Sequence, residues 1–452
     1  MSLLSGREVM AICRHFSPFS ESGELKPENE RATLLAANLV PPVDVISRGF
    51  VMAAAQGDQS PMLVQLSYSA INMAGGNPGS VKPLAGVSVS IDDHLVAGAR
   101  IIRNVLDETA EQYGARFMGI TLDHFRVPKF EEVLGTAGAA CIAGRGARAA
   151  NAGSELDIAL ARARIDDAVR AAGGVRGGPL GRATVEDCLR YLSSDQYAAF
   201  RQDFLAVVNE VRPAWGMIDT ETLPPALTFA VTRDISDELR HVLGNTDMIL
   251  EAEYGATGQS GDESEYERLA GTDLDRYARD IAAFVEYSGA EAIAYPAGMV
   301  HASKTHEKHE PDVDRLIAVH REVMRKTGRY VPYAQHGGTG AAFLPRGLVG
   351  KNNIATRFMV VGMNYLADYC EANVDGIREG SKSACNPGVF GRMSLAIAEA
   401  AVEKLKECGS FGRGPEVARA LAAAGFGEPR RAPASKRGGA ARSRTVPADS
   451  IE

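Results

Sequence analysis

The stretch over residues 291–356 limits most sharply what this chain can fold into. It reads EAIAYPAGMVHASKTHEKHE, then after a helical pattern VPYAQHGGTG, then LVGKNNIATRF. Two short apolar runs, 292–295 and 331–334, each stop just before or at a histidine, His301 and His336, and a helical segment over 312–324 separates them. Strand, loop, helix, strand is the grammar of a parallel sheet whose functional groups gather at one end. His336 opens His-Gly-Gly-Thr-Gly, where glycines let a backbone come close to an anion and the Thr339 hydroxyl adds a donor. A neutral imidazole beside such a turn suggests a metal ion or a general base working on a phosphorylated substrate.

The same alternation runs through the rest of the chain. A short helix is expected over 5–16 with Ser5 as N-cap, then a polar loop to Glu30. Strands are expected over 32–38, 61–67, 87–91, 116–122, 215–218, 248–254 and 350–354. Helices are expected over 41–56, 94–113, 235–243, 274–287, 356–369 and 391–408. The alternation pauses between Phe125 and Ala214, where two helices, 156–172 and 183–211, flank the Gly-rich turn GGVRGGPLG. About eight strand–helix units predict an α/β chain of the (β/α)8 TIM-barrel type, with a mainly helical insertion. The chain then divides into an N-terminal helix and loop (1–30), a barrel (31–408, insertion near 130–210) and a tail (409–452). The tail is rich in Ala, Arg, Gly and Pro, and disorder is expected from Gly427 onward.

Composition narrows the function classes. At 452 residues the chain can bury a large core, and a formal charge of -8 argues against a nucleic-acid-binding body. The opening MSLLSGREVMAICRHF has charges where a signal peptide needs an apolar block, and no apolar run approaches the ~18 residues of a membrane span. A soluble cytoplasmic protein is the expectation. Cys13, Cys141, Cys188, Cys370, Cys385 and Cys408 are dispersed without a C-x-x-C pair, the usage of free thiols in a reducing compartment.

Four polar clusters fall at expected strand ends: Asp123-His124, Glu251-x-Glu253, His301, and His336 with its glycines. In a barrel those ends share one face, so residues distant in sequence can converge on one ion. Three neutral imidazoles that leave a position open describe a catalytic zinc site. Glu251 and Glu253, two apart on a strand, share a face directed into the barrel. Buried carboxylates are costly unless paired or metal-bound, which places both near a cation, with Glu251 read as a salt-bridged partner behind it. His306 and His309, in the polar loop SKTHEKHE, read as solvated.

These pieces occur in a recognisable order: QLS (65–67), TLDH (121–124), MID (217–219), LEAEYG (250–255), GMVHASK (298–304), QHGGTG (335–340), KNNIAT (351–356) and NPGVFGR (386–392). In that order they resemble the class II, metal-dependent fructose-bisphosphate aldolases, over most of residues 30–408. The resemblance implies that His124, His301 and His336 bind a catalytic Zn²⁺. Asp219 and Glu253 match carboxylates that hold a second or displaced metal, and a monovalent cation is compatible with the same family. Asp123 matches the acid/base serving the C4 hydroxyl. Gly337, Gly338 and Thr339, with Asn353, Ile354, Ala355 and Thr356, match the cradle for dihydroxyacetone phosphate, and Asn38 and Ala302 fall at further substrate contacts. Ser67 and Arg392 match groups for the far phosphate, Arg392 reaching in from a neighbouring subunit, which implies a homodimer or homotetramer. The implied reaction is reversible cleavage of a ketose phosphate, by default the glycolytic fructose 1,6-bisphosphate, to dihydroxyacetone phosphate and an aldehyde such as glyceraldehyde 3-phosphate. Neither nucleic acid nor membrane is an expected partner.

The departures bear on the substrate. Thr121 and Phe125 flank Asp123-His124 where the family carries His and a small residue. The loop Glu that abstracts the C3 proton would fall at Gly261, leaving Asp262, Glu263 or Glu265, with Glu263 the candidate. Tyr254, Gln259 and Ala302 replace commoner residues, and Ala355-Thr356 resembles the tagatose-bisphosphate branch. Two other readings therefore stay open: an aldolase for another sugar phosphate, and a metal-binding barrel without catalysis.

Overall fold

In the computed structural model of the chain, eight parallel strands close on themselves in sequence order. The structure describes residues 3–76, 94–135, 158–175, 178–255, 273–300 and 307–427. The strands are β1 Leu34–Asn38, β2 Met62–Ser67, β3 Met118–Arg126, β4 Trp215–Asp219, β5 Ile249–Glu253, β6 Ala292–Ala294, β7 Tyr333–Gln335 and β8 Val349–Ile354. β1 pairs with β8, Ala36 opposite Asn353, which completes the ring. The expected TIM barrel is therefore the fold.

Helices wrap the ring: α1 Gly6–His15, α2 Val43–Ala55, α3 Tyr68–Ala74, α4 His94–Tyr113, α5 Phe130–Gly135, α6 Ile158–Ala171, α7 Val185–Leu192, α8 Asp195–Val211, α9 Pro225–Asp237, α10 Leu274–Ser288, α11 Val313–Thr327, α12 Thr356–Ala372, α13 Val374–Arg378, α14 Gly388–Glu407 and α15 Gly414–Ala423. Period-two alternation sorts each strand between two cores. Leu35 and Ala37 face the strand–helix layer, while Leu34 and Ala36 join Leu63, Trp215, Ile249, Ala292 and Ala334 inside the barrel. Below them α1 closes the floor, its start fixed by a capping box between Ser5 and Glu8.

Several elements differ from the sequence expectation. Residues 183–211 make two helices, because Ser194 caps α8 by accepting from the Tyr197 amide at 3.2 Å. The helix expected over 235–243 begins ten residues earlier, at Pro225, and is buried on nearly every side, so no polar face marks it. The tail expected from 409 is folded in its first part: α15 packs Val417 and Leu421 into the barrel floor. The strand expected over 87–91, and residues 428–452, lie outside the described residues. Among those described, no helix is long and apolar enough to cross a membrane.

Candidate metal centre

The strand carrying the first two site residues is not regular. β3 pairs with β4 through a register shift between Leu122 and Phe125, and His124 sits in the left-handed region at φ 44°. A bulge of this kind re-aims side chains, and a non-glycine residue held there stores backbone strain that clusters at functional sites. It lets Asp123 and His124, neighbours in sequence, both take part in one cluster. Asp123 is buried and clamped, accepting from Gln65 Nε2 at 2.5 Å and from Asn353 Nδ2 at 3.0 Å.

His124 and His336 meet edge to face, ring centroids 4.6 Å apart. Each has a carboxylate behind it. His124 Nδ1 lies 2.9 Å from Asp219 Oδ2, and His336 Nε2 lies 3.0 Å from Glu251 Oε1. An ionised carboxylate only accepts, so these nitrogens carry the hydrogens, and the ring nitrogens left to meet an ion are His124 Nε2 and His336 Nδ1, the latter 3.3 Å from Asn353 Nδ2. A carboxylate that orients an imidazole in this way is what metal-ligating histidines have behind them. Burial disfavours charge on His124, yet the Asp123 and Asp219 carboxylates outweigh it and lift its pKa to about 9.

Among the described residues, two groups of side chains could hold a cation, each with ligand atoms within 4.8 Å of one another: Asp123, His124 and His336, and His124, Asp219 and Glu253. Asp219 is well occupied already. Oδ2 accepts from His124 and from Arg126 Nε at 3.0 Å, and Oδ1 accepts from the Glu221 amide at 3.2 Å. Burial raises its pKa, but the His124 hydrogen bond and charge, with Arg126, hold it well below the usual carboxylate range. Glu253 is the contrast: fully buried, neither oxygen accepts a hydrogen bond among the described residues. Burial, then the Asp219 charge, push its carboxyl well above the usual range. Two adjacent buried carboxyls must share a proton or a cation. The donor set therefore fits a divalent ion.

Beside this cluster the His336 turn is shaped by sterics. Gly337 has φ 69°, and a Cβ there would collide with the Val300 carbonyl oxygen; a Cβ on Gly338 would collide with Asn352 Oδ1. Thr339 sits in the one-turn helix Gly338–Gly340, and Asn353 and Ile354 end β8 alongside, with Ala355 and Thr356 opening α12. Asn38, Gln65 and Asn353 each leave a buried carbonyl oxygen without a partner among the described residues. Ser67 lies opposite Asp123 in register, but its hydroxyl caps α3. Arg392 is exposed on α14 and makes no ion pair among the described residues. His301, Ala302, Glu263 and the other loop acids lie outside the described residues.

Residues 216–413 match the family model for fructose-bisphosphate aldolase class-II. Over that stretch the chain resembles the class-II fructose-bisphosphate aldolases. A crystal structure of fructose-bisphosphate aldolase from Campylobacter jejuni shares the fold, with a TM-score of 0.54 and 16% identity over 91% of this chain and 96% of that one. The YdjI aldolase from Escherichia coli K12 aligns at a TM-score of 0.42 and 15% identity, over 86% of this chain and 95% of that one. No curated protein matches the chain.

Within this barrel, three contributors carried no motif of their own in the sequence. Gln65 clamps Asp123; its signal was the polar residue inside the apolar run PMLVQLS. Lys351 and Trp215 reach Glu251 in the barrel interior, and a lysine in the buried strand VGKNNI was the available sign.

Proposed function

We propose that the chain is a zinc-dependent aldolase that reversibly splits a ketose phosphate into dihydroxyacetone phosphate and an aldehyde, with fructose 1,6-bisphosphate the first substrate to try. The observation that carries this reading is the pair of carboxylate-backed imidazoles, His124 and His336, meeting at 4.6 Å beside a buried, unsatisfied Glu253. His124 Nε2 and His336 Nδ1, with His301, would hold the ion, and Glu253 supplies the nearby carboxylate for a second or displaced position. Such nitrogen and oxygen donors suit zinc, which when bound supplies Lewis-acid polarisation of a substrate carbonyl.

The remaining steps belong to the chain's own groups. Asp123, fixed by Gln65 and Asn353, takes the proton from the C4 hydroxyl on cleavage and returns it on condensation. The free Asn353 oxygen faces a substrate hydroxyl, and the backbone amides of Gly337, Gly338 and Thr339 with the Thr356 hydroxyl bind the phosphate. Glu263 is the proposed base at C3. Ser67 and Arg392 are the proposed far-phosphate pair, Arg392 acting across a homo-oligomer interface.

Purified protein assayed with fructose and tagatose 1,6-bisphosphates, with and without EDTA, tests the reading. EDTA-sensitive turnover is expected, and Asp123→Ala should lower kcat by about 10²- to 10⁴-fold. Turnover confined to another ketose phosphate would move the substrate. Tight zinc binding with no turnover would leave a binding barrel. Borohydride trapping of a substrate adduct would overturn the metal chemistry.

A further inference from the structure

Beneath His336 the barrel interior holds a charged group with no direct part in this chemistry. Trp215 on β4, Glu251 on β5 and Lys351 on β8 are all fully buried. Lys351 Nζ and Trp215 Nε1 each lie 2.5 Å from Glu251 Oε2. Lys351 also stands 4.9 Å from the indole centroid and donates to Thr121 Oγ1 at 3.4 Å. The other oxygen, Oε1, is the one that accepts from His336 Nε2.

A buried ion pair is weak evidence for stability, since apolar residues of the same volume often serve a core as well or better. Barrel interiors are ordinarily filled by Val, Ile and Leu. What the group does have is directionality. Two donors occupy Oε2, so the carboxylate cannot rotate without losing both, and Oε1 is left facing the imidazole. Removing either donor leaves a single contact to resist that rotation, and so loosens the ring that Glu251 orients.

We infer that Trp215 and Lys351 are positioning residues that, through Glu251, fix the ring of His336 and its hydrogen on Nε2 so that Nδ1 faces the metal. The inference rests on the proposed role of His336 as a ligand. Trp215 is the sole tryptophan of the chain, so its emission reports on the carboxylate behind that ligand.

The test uses full-length wild type, Trp215→Phe, Lys351→Met and Lys351→Arg. Zinc affinity is measured by competition with a chromophoric chelator, indole emission is followed through the titration, and the melting of the metal-free proteins is recorded alongside. Trp215→Phe keeps the buried ring and loses only the N–H, and Lys351→Met is close in volume, so one of the pair remains informative if the other does not fold. Both should bind zinc about 10- to 100-fold more weakly, the usual cost of losing support behind a ligand. Lys351→Arg should recover part of the loss, and wild-type emission should change in step with zinc uptake. Lowered melting temperatures with unchanged zinc affinity would mean a purely structural role and overturn the inference alone. Absence of zinc binding by wild type would overturn it together with the metal reading.

Discussion

At the scale of single residues, the site is built from groups whose alternatives are sterically or electrostatically expensive. Gly337→Ala would put a side chain at φ 69° and against the Val300 carbonyl. Backbone strain of that kind costs about 1–3 kcal/mol, so the urea midpoint should fall; an unchanged midpoint would show that the turn has slack. Thiols report burial in another way. Burial raises the pKa of Cys13 and Cys408 to about 12 and of Cys188 to about 11, while Cys370 and Cys385 are exposed. Because the folded pKa values are raised, their contribution to stability is fully present below the unfolded thiol pKa of about 8.5 and is lost as pH climbs toward 12. A thiol reagent at pH 8 should therefore label Cys370 and Cys385 in the native protein and reach the three buried thiols only on unfolding. Early labelling of Cys13, which lies on the floor helix α1, would contradict the closed floor. For the far phosphate, Arg392→Ala should weaken a bisphosphate far more than a monophosphate, and equal losses would remove that assignment.

At the scale of elements, the chain announced its strands more plainly than its helices. Most barrel strands are short apolar runs ending on polar residues, as in MLVQLS and WGMID, so strand order and the end that carries the candidate site were legible. Helix α9 was half hidden because a helix buried all round lacks the polar face that periodicity needs. The bulge in β3 was invisible for a different reason: it is a relation between two strands, not a pattern along one. The last helix, α15, was taken for tail because its alanines and glycines resemble linker composition, yet Leu421 is 1% exposed. Leu421→Ala should cost about 2–5 kcal/mol in urea unfolding, whereas a negligible cost would return residues 409–427 to the tail. Loss of the α8 cap in Ser194→Ala should cost about 1 kcal/mol by the same measurement.

At the scale of the whole molecule, closure of the barrel does what no local motif can. It carries positions 124, 219, 251, 253 and 336 to one end, and it sets Trp215 and Lys351 against Glu251 across the interior. Convergence was readable from the rule that parallel strand ends share a face. The interior pairs were not, since they depend on which residues the closed register brings level. Binding to the folded state alone should stabilise it by about 2.7 kcal/mol at zinc concentrations of 100 times Kd, a gain that EDTA should abolish. The most direct test is a crystal of zinc-loaded protein with anomalous data at the zinc edge. The account predicts one strong peak at about 2.0–2.1 Å from a nitrogen of His124 and of His336, with His301 as third ligand. No peak between those two imidazoles, or a peak bound elsewhere, would contradict it.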